Sequence, residues 1–162
     1  MRLTLKIRKI AEDMGLAFVH GTTEQLGVLV DTVGSPMMAL LDYVSSTESF
    51  HGCERVETAS LNVFFLERVS PSFSPDEVVA VQDRCKALAD RFVDRAWGND
   101  SPEFSDLGID GSVSYQRVNL RYKGVYGGVM VSLRVADYGG FAAPSSQYAP
   151  VSVEEDGDGD NT

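Results

Sequence analysis

Apolar residues recur along this chain with two different periods, and the switches between them mark out its elements. Leu3, Ile7, Ile10 and Met14 are spaced by four, three and four, which is one face of a helix, and Gly15 stands where that helix would stop. Leu16 to Val19 reads as a short strand. Thr22 or Thr23 can cap a second, short helix over Glu24 to Val33, with Leu26, Leu29, Val30 and Val33 on its inner side, and Gly34-Ser35-Pro36 breaks it. Met37 to Val44 is almost uniformly apolar, the mark of a strand covered on both faces.

Polar residues dominate Ser45 to Gly52, which predicts a loop. Arg55 to Arg68 then alternates, with Ala59, Leu61, Val63 and Phe65 on one face, and predicts the longest strand. Ser74-Pro75-Asp76-Glu77 is the clearest local signal. The serine can cap, the proline takes the first helical position, and the glutamate three residues on completes a capping box. Val78, Val81, Cys85, Leu88 and Phe92 continue at helical spacing, so a helix of about six turns runs towards Gly98. Asn99 to Gly111 predicts a loop. Val113 to Tyr122 and Val129 to Val135 alternate as strands, and Lys123 to Gly128 supplies the turn of an antiparallel hairpin. Gly124, Gly127 and Gly128 read as permitting a bent or bulged hairpin.

The order is helix, strand, short helix, strand, strand, long helix, strand, strand. It predicts an α+β fold: an antiparallel or mixed sheet of four to five strands with helices packed mainly on one face. Residues 1–137 form that domain. Residues 138–162, rich in Gly, Pro and Ser and then acidic, form an extended tail.

Charge changes the picture at the end of the chain. Of the net −10, Glu154, Glu155, Asp156, Asp158 and Asp160 carry half. The remaining body is mildly acidic, which argues against a surface that grips nucleic-acid phosphates. No apolar run is long enough to span a bilayer, and the alternating apolar and basic start lacks the apolar stretch of a signal peptide. Two cysteines are too few for a disulfide framework, so a reducing compartment is the expectation.

No constellation of catalytic residues emerges. His51 and Cys53 suggest a thiol nucleophile beside its base, but residues two apart rarely reach that geometry. Cys85 lies in an apolar helical stripe and reads as core. His20 precedes Gly-Thr-Thr-Glu, which a strand-to-helix junction wants for capping. Two histidines without a cysteine pair make no zinc site. Asp156-Gly157-Asp158-Gly159-Asp160 lacks the later glycine and glutamate of a calcium loop. The glycines at 124, 127 and 128 lack the Gly-Lys-Ser/Thr of a phosphate loop. Asp42, Glu54, Glu57 and Glu67 have no spacing that pairs them. The expectation is a protein without catalytic activity, cofactor or metal.

The order of elements resembles the head–tail connector and tail-terminator (neck ring) proteins of tailed bacteriophages. The resemblance covers residues 1–137 and is carried by Leu3/Ile7/Ile10/Met14, the strand Thr58 to Glu67, the Ser74-Pro75-Asp76-Glu77 helix start and the hairpin Val118 to Val135. It implies a virion structural protein, assembled in the host cytoplasm as a homo-oligomeric ring beside portal, connector or tail proteins. DNA would pass through without specific binding, and no membrane would be involved. Tyr138, Phe141, Tyr148 and Val151 are the expected partner-interface residues of the tail, since aromatic side chains dominate interfaces. The alternative expectation is an acidic DNA mimic that inhibits a host nucleic-acid-binding protein. A mimic spreads carboxylates over its folded surface, whereas half of this net charge lies in the last nine residues.

Overall fold

The computed structural model describes residues 2–43, 45–52, 54–97 and 107–138, and within them the expected order holds with one strand added. The elements are α1 (Arg2–Asp13), β1 (Ala17–Gly21), α2 (Thr23–Leu29) with a single tight turn at Val30–Thr32, β2 (Met37–Leu41), β3 (Ser46–His51), β4 (Glu54–Val69), α3 (Pro75–Ala96), β5 (Leu107–Arg121) and β6 (Val125–Asp137). They form a mixed, six-stranded sheet in the order β1-β2-β4-β6-β5, with β3 also paired to β4. Among the described strands only β1 and β2 run parallel, joined through α2.

The fold is α+β, as the pattern predicts, but with six strands in place of four to five. The additional strand is β3, from the stretch expected to be a loop. Its alternation is polar and carries no apolar signal, so its structure comes from its partner: Ser46 to His51 pair residue by residue with Ala59 to Glu54 of β4. β2 and β3 follow one another along the same side of β4, the pairing of β2 ending at Val63 and that of β3 starting at Ala59.

Two clusters hold the layers together. α1 and α3 cover one face of the sheet, burying Leu3, Ile7, Ile10 and Met14 with Val81, Cys85, Ala89 and Phe92 against Leu61, Val63, Phe65, Val129, Val131 and Val135. Phe65 and Phe92 meet with ring centroids 5.5 Å apart, and both are fully buried. On the opposite face, α2 and its following turn bury Leu26 and Val30 over Met37, Ala39, Leu66 and Tyr126. β2 lies under both layers, which accounts for its unbroken apolar run.

The capping box expected at the start of α3 forms, and α2 starts with a second one. Ser74 Oγ accepts from Glu77 N at 3.3 Å while Glu77 Oε2 accepts from Ser74 N at 3.0 Å. Thr22 and Gln25 do the same at the start of α2. Each such cap contributes about 1 kcal/mol.

The terminal hairpin differs from expectation in two ways. β5 begins at Leu107, inside the stretch predicted as loop, and its irregularity lies between Asp110 and Ser114, where Gly111 takes φ 76°. Gly127 and Gly128 are neither turn nor bulge. They lie in an unbroken register of β6, and a Cβ on Gly128 would stand 1.9 Å from the Phe65 carbonyl oxygen. The glycine is there because the neighbouring backbone passes too close for a side chain.

Two polar residues of β5, Arg117 and Asn119, find partners on α3. Gln82 donates from Nε2 to Val118 O at 3.3 Å and to Asn119 Oδ1 at 3.4 Å, and Arg117 donates to Asp83 at 2.7 Å. That explains a strand with polar side chains on the helix-covered face.

Candidate functional site

β4 is longer than the sheet that it anchors. Its register with β6 begins only at Glu57, so Glu54, Arg55 and Val56 pair with β3 alone among the described residues. These pairs form a two-stranded arm that outruns the sheet by about 10 Å at the strand rise of about 3.4 Å per residue. Along it, Arg55 donates to both carboxylate oxygens of Glu48 at 2.7 and 2.9 Å, and its guanidinium lies 5.9 Å from the Phe50 ring centroid. Phe50 itself is 67% exposed. A hairpin with so little packing is marginal by itself in water, and an exposed aromatic at its end adds to the cost of leaving it free.

The other end of β4 is organised by Asp31. Its carboxylate, 10% exposed, accepts from the Tyr126 hydroxyl at 2.7 Å and from the backbone N–H groups of Lys123 and Gly124 at 3.1 Å each. The Tyr126 hydrogen bond, with help from those amides, holds the Asp31 carboxyl below the usual carboxylate range. Burial, and then the facing Asp31, push the Tyr126 phenol up. Arg68 completes the group, with Nη2 3.9 Å from Asp31 Oδ1 and its guanidinium 5.7 Å from the Tyr126 ring centroid. The turn between β5 and β6 is thereby fastened to the turn after α2.

Beside this knot lies an open groove of about 560 Å³, lined by Arg68, Val69, Ser70, Pro71, Phe73, Lys123, Gly124 and Val125. Its floor is largely apolar and its charged residues are both basic. A second hollow of about 450 Å³ lies along α2, between His20, Glu24, Gln25, Val28 and Leu29.

Neither a protein-family model nor a curated protein sequence matches this chain.

The residues weighed for chemistry stay apart. Cys85 is fully buried and donates weakly to Gly127 O at 3.8 Å, and burial pushes its thiol up to about 12. Cys53 and the His51 side chain lie outside the described residues. His20 Nε2 is 3.3 Å from Asp42 Oδ1 but off the line that a hydrogen bond requires. Glu67 is held by Arg84 at 2.7 Å. Among the described residues no three His, Cys, Asp or Glu side chains converge on a metal position, and no helix is long and apolar enough to cross a membrane.

Of the four tail residues expected at an interface, only Tyr138 is described. A Cβ added to Gly108 would lie 3.3 Å from its ring, so the aromatic side chain packs over the start of β5. Phe141, Tyr148 and Val151 lie outside the described residues. Sequence spacing gives no hint of the Asp31 knot, whose hydrogen-bond donors to the carboxylate are more than ninety positions away. Phe50 did leave a signal, as the lone aromatic of a polar stretch.

Proposed function

We propose that this protein is a structural subunit that assembles with copies of itself into a closed ring, at the head–tail junction or tail end of a tailed-phage virion, with DNA passing through the ring. The observation that carries this reading is the β3–β4 arm, which projects past the sheet and ends in an exposed aromatic. Burying Phe50 against a neighbour would gain about 1.5–3 kcal/mol per contact, repeated once per subunit. The outer edges of β1 and β5 end the sheet order and offer further contacts. Contacts between unlike patches generate rings when the rotation closes. The acidic balance of the chain suits a lumen that repels phosphate and does not hold it.

The DNA-mimic alternative is less well supported. Its carboxylates would have to stand free, yet Glu12, Glu48, Glu67, Asp83, Asp90 and Asp110 each face a lysine or arginine of the same molecule. Negative-stain electron microscopy of the purified protein tests the proposal. Annular particles of uniform diameter are expected, and a field of small single particles at all concentrations overturns it.

A further inference from the structure

The groove at the end of β4 has two bases in its lining and no acid. Arg68 is partly engaged, its Nη2 3.9 Å from Asp31. Lys123 is exposed, and among the described residues its ammonium faces no carboxylate. The other lysines are taken: Lys6 by Asp137 and Lys86 by Asp90, each at 2.6 Å, and Lys9 is engaged too. The hollow along α2 is a poorer receptor for an acid, since Glu24 lines it and Asp42 stands beside its His20. The densest negative charge of the chain is at Glu154, Glu155, Asp156, Asp158 and Asp160, and residues 139–162 contain no lysine or arginine. Just before these acids, Val151 and Val153 alternate with Ser152, so an extended chain presents both valines to one side.

We propose that this acidic segment folds back on its own molecule and docks in the basic groove. Val151 and Val153 lie on the floor of Val69, Phe73 and Val125, and the carboxylates of 154–160 face Lys123. The contact is independent of the ring. Its reach is set by β6, whose 13 residues run from Val125, paired with Val69 in the groove wall, to Asp137 at the far end of the sheet. Tyr138 packs over Gly108 at that far end. From Tyr138 to Val151 is again 151 − 138 = 13 residues. At about 3.3 Å per residue each stretch spans about 43 Å, so an extended return path brings Val151 level with the groove. Gly139 and Gly140 stand where that path reverses, and glycine turns at no steric cost. Tethering supplies an effective concentration of roughly millimolar, so a weak contact suffices. Docked in this way the segment neutralises Lys123 and covers Phe73, and an acidic ligand from outside has to displace it.

Carbodiimide cross-linking of the full chain tests the contact, because the reagent joins a carboxylate to a lysine amine only where the two touch. Unlabelled and heavy-isotope protein are mixed in equal amounts, and the cross-linked peptides are read by mass spectrometry. The expected product joins Lys123 to a carboxylate of residues 154–160, in light–light and heavy–heavy pairs only. Its yield should drop by about tenfold in about 1 M sodium chloride, where the screening length is about 3 Å. Phe73→Ser removes part of the floor and no charge. It should lower the yield several-fold, with circular dichroism checking that the variant folds.

Cross-links from the segment to Lys6, Lys9 or Lys86 in place of Lys123, or none at all, would overturn the docking. Light–heavy pairs would overturn the fold-back, since the segment would then reach a second copy. A yield that a folded Phe73→Ser variant leaves unchanged would put the segment outside the groove and overturn the proposal as well. The ring is read separately, by microscopy, and stands or falls without these results.

Discussion

Lys6 Nζ lies 2.6 Å from Asp137 Oδ1, joining the first helix to the last residue of the last strand across 131 positions of sequence. The Asp137 side chain is 2% exposed and that of Lys6 17%. Burying a carboxylate is costly unless a cation and hydrogen bonds face it, so removing the cation should cost more than the pair is worth. Lys6→Met is expected to lower stability by about 3 kcal/mol, the low end for breaking a buried pair. Lys6→Met/Asp137→Leu should recover most of that loss in urea unfolding. A double variant no more stable than the single would contradict this account of the pair.

Gly128 should tolerate no side chain. A Cβ there would fall within 1.9 Å of the Phe65 carbonyl oxygen, an atom of the sheet backbone that cannot swing aside. Gly128→Ala is expected to cost about 3 kcal/mol, the upper end of overpacking. Gly34→Ala, where a Cβ meets nothing within 4 Å, should change stability little. Thermal melts of the two variants give the comparison directly.

The Asp31 knot predicts a pH dependence of definite sign. Its folded carboxyl titrates below the ordinary 3.8, chiefly through the Tyr126 hydroxyl, so the ionised form stabilises the native state. That contribution is present above about pH 4 and disappears as pH falls through the folded value. Asp31→Asn should therefore melt below the wild type at pH 7, and the gap should narrow as pH drops from about 4 towards 2. A gap that stays constant over that range would mean that the charge of Asp31 does not hold the turn.

Cys85 should behave as a core residue. With its thiol pushed up to about 12 and no exposure, it carries almost no thiolate near neutral pH. A maleimide reagent should leave Cys85 unlabelled in the native protein and label it fully in denaturant, as read by peptide mass spectrometry. Rapid native labelling at this position would show that α3 lifts from the sheet.

Much of the fold was legible because its strongest signals are local. The Ser74 to Glu77 capping box, the four-three-four spacing of α1 and the apolar run of β2 each depend on residues within one element. What escaped the sequence depends on partners far away. β3 has no apolar alternation of its own and is a strand because β4 continues past β6. β5 starts before its alternation is visible, because Leu107 to Asp110 precede a bulge that breaks the period. Gly127 and Gly128 read as a turn because sequence cannot show a neighbouring backbone. The candidate site was mostly hidden for the same reason, since Asp31, Arg68 and Lys123 meet only after two separate turns and the end of β4 are brought to one end of the sheet.

The proposed assembly joins copies of this protein head to tail. Native mass spectrometry of the untagged wild type, sprayed from ammonium acetate over a hundredfold range of concentration, tests it most directly. One dominant assembly of fixed subunit number is the predicted result. A spectrum of monomer alone throughout that range would contradict it.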